Sequence, residues 1–226
     1  MASSAKRPFE SIEEQIMNIT VIGAGNMGSA FVKQFVRAGH RVLVTARDAG
    51  KAQAVAAANP GAVAVAAANA AAAAEVVVVA TGFGDAVSAL RSVGDLSGKI
   101  VIDITNPLTA DYMGLSIGHT TSAAEEISRS IPEARVVKAF NTVFAQVLAE
   151  GADFGNGHTV PVYFAGDDAV AKATVGALIA SMGFAPIDAG PLKNARYLEP
   201  VAGLNIYFGY GAGKGTSIAP FWLERA

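Results

Sequence analysis

Gly23-Ala24-Gly25-Asn26-Met27-Gly28 follows the apolar run Ile19-Thr20-Val21-Ile22 and leads into Ser29-Ala30-Phe31-Val32-Lys33-Gln34-Phe35-Val36-Arg37. The order is strand, glycine turn, helix. Each glycine has its own reason. The first permits a tight turn, and the second removes a side chain where a pyrophosphate approaches the backbone. The third lets helix and strand pack closely. The helix start then offers free N–H groups and a partial positive charge. Gly23, Gly25, Asn26, Met27 and Gly28 are therefore expected to hold a dinucleotide.

Downstream, apolar runs and helical stretches alternate. Strands are expected at 18–22, 41–45, 62–66, 75–80, 99–104 and 134–139, with helices at 27–38, 48–58, 84–92 and 122–130. Val76-Val77-Val78-Val79 and Ile100-Val101-Ile102 are continuous apolar runs, as in strands covered on both faces. Beyond them come strands at 160–165 and 184–188 and helices at 168–182 and 192–202, with a last helix from about 202. The fold class expected is α/β: a Rossmann, doubly wound, mostly parallel sheet with a small C-terminal α+β domain. The partition is a mobile extension at 1–16, a dinucleotide-binding domain at 17–143 and a C-terminal substrate or dimer domain at 144–226. A short amphipathic helix around Phe9, Ile12 and Ile16 is one form the extension could take.

Coenzyme choice is read at the end of the second strand. An NAD site usually carries Asp or Glu there, about 20 residues past the glycines, to bond the ribose hydroxyls. This chain has Thr45, then Arg47 and, one helical turn on, Lys51. A hydroxyl, a guanidinium and an ammonium suit a 2′-phosphate, which points to NADP(H). Asp48 reads as the cap of the following helix.

In an open parallel sheet, ligands lie beyond the carboxyl ends of the strands. The turns there hold Thr81-Gly82-Phe83, Thr105-Asn106-Pro107 and Phe140-Asn141-Thr142. Thr81, Gly82, Phe83, Asn106 and Asn141 are expected at the nicotinamide end: glycine for close approach, Phe83 over a ring, the amides on ribose or carboxamide.

Composition excludes several classes. The 226 residues are 52% hydrophobic and 16% charged, with a formal net charge of −2, which favours neither nucleic acid nor an anionic membrane. There is no cysteine, hence no disulfide, thiolate metal site or cysteine nucleophile. No metal site is expected, no run spans a bilayer, and the expected setting is cytoplasmic. No strong general acid stands out. His119 is the one histidine considered as a proton donor; His40 and His158 read as structural and solvated. Glu125-Glu126 read as a helix's first turn. Gly209–Thr216 fails the phosphate-loop template and reads as a turn, with Tyr210 or Trp222 available to stack on a flat ring.

The glycine turn, Thr45-Ala46-Arg47, Ile102-Asp103-Ile104-Thr105-Asn106-Pro107, Val136-Val137-Lys138-Ala139-Phe140-Asn141-Thr142 and Asp188-Ala189-Gly190-Pro191-Leu192 together resemble the deazaflavin-dependent NADP oxidoreductase family. The Lys-Ala-Phe-Asn-Thr form is similar to bacterial relatives and to the cytosolic domain of the vertebrate ferric reductases. The resemblance implies hydride transfer between NADP(H) and a small-molecule acceptor, a deazaflavin or flavin, in a cleft between two domains of a homodimer. Ala46, Arg47 and Asp48 stand where archaeal members carry Ser-Arg-Arg, and Asn141 where they carry His. Two other readings are an NADPH-dependent imine or carbonyl reductase and a non-enzymatic NADPH-binding redox sensor.

Overall fold

A computed structural model describes residues 16–223 and residue 225. The expected extension, save Ile16, lies outside the described residues. One sheet organises the rest. Its strands are Asn18–Ile22 (β1), Arg41–Thr45 (β2), Ala62–Ala64 (β3), Val76–Val79 (β4), Ile100–Asp103 (β5), Arg135–Ala139 (β6), Pro161–Gly166 (β7) and Ala185–Asp188 (β8). Their order is β3-β2-β1-β4-β5-β6-β7-β8. The first six run parallel; β7 is antiparallel to β6, and β8 is parallel to β7. The strand order reverses between β1 and β4, where the carboxyl ends diverge and a crevice opens.

The four valines of β4 show why the sheet must be covered twice. All are fully buried. Val76 and Val78 join one core with Phe31, Phe35 and Ile102. Val77 and Val79 join the other with Leu90, Val101 and Ile127. Successive side chains alternate faces, and each buried valine contributes roughly 1.5 kcal/mol or more. Helices Asn26–Arg37 (α1), Ala49–Ala58 (α2), Phe83–Arg91 (α3), Ala123–Ser130 (α4), Ala145–Glu150 (α5), Ala169–Ser181 (α6) and Ala195–Ile206 (α7) supply the cover. None of the described helices is long and apolar enough to cross a membrane.

The C-terminal part adds its strands to the same sheet. Val137 pairs with Gly166, Lys138 with Ala165 and Ala139 with Phe164, across the boundary expected at 143/144. Every residue of β7 is buried, so the strand needs neighbours on both sides. The helix expected at 192–202 and the one from 202 are a single helix, α7, entered through one 3-10 turn and ending in a π-turn at Tyr207–Gly211. Helix α5 was not anticipated. It is six residues long and held from α1, where Gln34 Nε2 donates to the Leu148 carbonyl at 2.7 Å.

Candidate functional site: two cavities meeting at one helix start

The glycine turn has the expected shape. Gly23 has φ +119°, and a Cβ there would lie 2.3 Å from the Ala80 carbonyl oxygen. A Cβ on Gly28 would lie 2.0 Å from the Gly23 carbonyl oxygen. Both positions are closed by backbone, which cannot yield. Gly25 differs: nothing lies within 4 Å of where its Cβ would be. It caps α1 without a side chain, so the first N–H groups of the helix are left for a ligand.

A groove of about 760 Å³ runs from this turn to the end of β2 and the start of α3. Gly23, Gly25, Thr45, Arg47, Lys51, Thr81 and Gly82 line it. Thr45 is buried as the last residue of β2, and its carbonyl accepts the Gly23 N–H at 2.8 Å. Asp48 caps α2, its Oδ1 accepting the Lys51 N–H at 3.2 Å. Sequence reasoning missed Asp85. This first-turn residue of α3 brings its carboxylate to 3.8 Å from the Arg47 guanidinium.

A second, mostly apolar cavity of about 600 Å³ begins at Asn26 and Met27 and ends against α7. Asn106 and Asn141 face it from the ends of β5 and β6. The Asn141 amide is 6% exposed. Its Nδ2 donates to Asn106 Oδ1 and to the Leu198 carbonyl, each at 3.0 Å. Asn106 Nδ2 returns a bond to the Asn141 carbonyl at 2.9 Å. Asn141 Oδ1 and Thr142 Oγ1 are buried without a partner, a cost sustained where a ligand supplies the missing donor. The turn that aims them is strained: Phe140, wedged edge-on against Phe31, has φ +60°.

Beneath the amides lies a buried ionic cluster that the sequence did not reveal. Lys138 Nζ donates to Asp103 Oδ2 at 2.9 Å, to Glu199 Oε1 at 2.8 Å and to the Thr105 carbonyl. All three side chains are essentially inaccessible. Glu199 also accepts the N–H groups of Ala123 and Ala124, at the start of α4. The cluster joins β5, β6, α4 and α7 directly under the cavity wall.

The remaining residues singled out from the sequence fall in varied places. Phe83 lines neither cavity; it packs half-buried on the core around Val79 and Leu90, because α3 turns that face of its first residue inward. His119 also lines neither cavity. It is exposed at φ +57°, because the loop closes on itself at the Leu108–Leu115 bridge and leaves His119 outside. Glu125 and Glu126 do form the first turn of α4, and the Arg196 guanidinium holds the Glu125 carboxyl below the usual range. Tyr210 lines the apolar cavity, edge-on to Phe144 at 5.8 Å. Trp222 instead packs on Tyr163.

The only ionisable side chains lining the apolar cavity, among the described residues, are Asp111, Tyr112 and Tyr210. The Thr109 hydroxyl holds the Asp111 carboxyl below its usual range. Asp111 is thus ionised near neutrality, which leaves the Tyr112 and Tyr210 hydroxyls as the proton-bearing groups of the cavity lining.

Residues 18–107 match the family model described as NADP oxidoreductase, coenzyme F420-dependent. The chain is 31% identical to the F420-dependent NADP reductase of Methanothermobacter thermautotrophicus, covering 86% of this chain and 90% of that protein. It is 30% identical to the metalloreductase STEAP3 of Rattus norvegicus over 84% of this chain, but spans only 37% of that longer protein. A crystal structure provisionally assigned as an F420-dependent NADP-reductase, from Arthrobacter sp. FB24, superimposes with a TM-score of 0.78 at 33% identity. The match covers 88% of this chain and 96% of that one. On the strength of the near full-length archaeal match, this chain belongs to the coenzyme F420-dependent NADP oxidoreductase family.

Proposed function

We propose that this protein is an NADPH-dependent oxidoreductase that moves hydride between NADP(H) and a flat, flavin-like or deazaflavin ring in the apolar cavity. One observation carries the reading: the groove and the cavity adjoin across Gly25, Asn26 and Met27, at the sheet's reversal point. The groove fits the coenzyme on two grounds, the open space at Gly25 and the uncapped start of α1. Gly23, Gly25, Asn26, Met27 and Gly28 take the pyrophosphate. Arg47 and Lys51, beside Thr45, take the 2′-phosphate. Thr81, Gly82, Asn106 and Asn141 lead to the reacting end.

When bound, the nicotinamide supplies the hydride. The chain's own work is to orient and to exclude water. Asn141 offers its free Oδ1 as a fixed acceptor, and the apolar lining keeps the chamber dry. The mostly apolar lining suits a flat ring, and the Tyr112 and Tyr210 hydroxyls are the groups there able to give a proton. A cytoplasmic homodimer belongs to the same proposal. Exposed Leu204, Tyr207 and Phe208, at the end of α7 and just after it, offer the dimer surface, and sedimentation velocity reads it.

The test is NADPH oxidation against FMN, FAD, a deazaflavin, ferric chelates and cyclic imines, with NADH in parallel. Turnover with a ring acceptor is the expected result. Turnover with cyclic imines alone converts the reading to an imine reductase, and binding without turnover to a sensor. Arg47→Ala should weaken NADPH binding by about 1.5–3 kcal/mol and leave NADH nearly unchanged.

A further inference from the structure

The end of β2 carries no free carboxylate of its own, because Asp48 is committed to capping α2. The topology supplies one from elsewhere. Crossing from β4 into α3 brings Asp85 back over the groove, where Arg47 and Lys51 also stand. Its Oδ2 lies 3.8 Å from Arg47 Nη1, with the two side chains 62% and 91% exposed. Arg47 is the ionic partner of Asp85 among the described residues. The two are free to part when a third charge arrives.

We propose that Asp85 sets the coenzyme selectivity of the groove. Its carboxylate competes with a ribose 2′-phosphate for Arg47, and it accepts a hydrogen bond from an unphosphorylated 2′-hydroxyl. This rests on the reading of the groove as a nicotinamide-dinucleotide site. The residue does from α3 what an acid at the end of β2 does in an NAD site. The chemistry is opposite for the two coenzymes. A 2′-phosphate beside Arg47 meets an anion and must break an existing ion pair. A 2′-hydroxyl meets an acceptor. Asp85 thus narrows the gap between NADPH and NADH that Arg47 and Lys51 open.

The experiment measures the Kd of NADPH and NADH by calorimetry for the whole chain and for Asp85→Asn, Asp85→Ser and Arg47→Ala, with thermal melting as the fold control. Asp85 is exposed, so both of its variants should melt with the parent. Asp85→Asn and Asp85→Ser should tighten NADPH about 3- to 10-fold and loosen NADH about 2- to 5-fold. The NADPH gain should shrink as salt rises to about 0.5 M, where exposed charges are screened within a few ångströms. NADPH affinity unchanged or weaker in both variants overturns the proposal. Arg47→Ala then separates the failures. If it loses NADPH selectively, the groove reading stands and only the role of Asp85 falls. If it weakens both coenzymes equally, the 2′-phosphate assignment falls and takes the proposal with it.

Discussion

Asn141 and Asn106 hold each other across the ends of neighbouring strands: Asn141 Nδ2 donates to Asn106 Oδ1, and Asn106 Nδ2 donates to the Asn141 carbonyl. The exchange fixes which way the Asn141 amide faces and leaves its Oδ1 without a hydrogen-bond partner. Asn106→Ala removes both bonds and lets that amide turn. The expected result is a fall in kcat of about 10- to 100-fold, the scale of a misplaced orienting group. The Kd for NADPH, determined mainly at the other end of the groove, should change by less than about threefold. Steady-state kinetics and coenzyme titration on one preparation read both.

Gly25 and Gly28 separate binding from folding. Gly25 has φ −83°, which alanine adopts freely, and open space beside it. Gly25→Ala should melt with the parent and lose about tenfold or more in NADPH affinity, since its methyl group occupies the pyrophosphate's approach. Gly28→Ala places a methyl group against the Gly23 backbone and should cost about 3 kcal/mol in urea unfolding. Equal melting of the two variants would refute this division.

Lys138 neutralises one of two buried carboxylates, and the start of α4 supports the other. Lys138→Met leaves both anions without their cation and should destabilise the fold by about 3–5 kcal/mol. Adding Glu199→Gln removes one of those anions and should recover part of the loss. A double-mutant cycle by chemical denaturation measures the coupling.

His40 ties the chain start of β1 to α6. Its Nδ1 accepts the Met17 N–H at 3.3 Å, so Nε2 carries the proton and bonds Ser181 Oγ at 3.0 Å. Burial lowers its pKa from the ordinary value of 6.5. The folded state therefore binds fewer protons than the unfolded state just below that value. Stability from this group is present in full above pH 6.5 and declines as the pH falls from there toward the lowered folded pKa. Melting temperatures recorded between about pH 5 and 8 should fall more steeply on the acid side for the parent than for His40→Gln.

What was legible in the sequence was local. The glycine turn, the valine run of β4 and the cap at Asp48 each work within a few residues, and they gave the fold, the groove and the exposed cations beside it. Helix α5 escaped because six residues show no helical period. Its stability comes from Gln34 and Lys33 on α1. The direction of β7 escaped because composition does not distinguish an antiparallel interior strand from a parallel one. Asp85 and the Lys138 cluster escaped for a deeper reason. Arg47 meets Asp85, and Lys138 meets Glu199, only after crossovers fold distant segments onto one edge of the sheet. Phe83 and His119 show the converse: a residue at the right strand end still depends on which way its helix or loop turns the side chain.

The first turn of α1 is a party wall. Gly25 belongs to the chamber on one side, Asn26 and Met27 to the chamber on the other. Occupants of the two rooms would therefore press on neighbouring peptide groups of a single turn. Any tightening that the first guest confers on the second is returned in equal measure, by thermodynamic reciprocity. On the proposed assignment of coenzyme to one room and acceptor to the other, each affinity is to be measured with the neighbouring room both empty and filled.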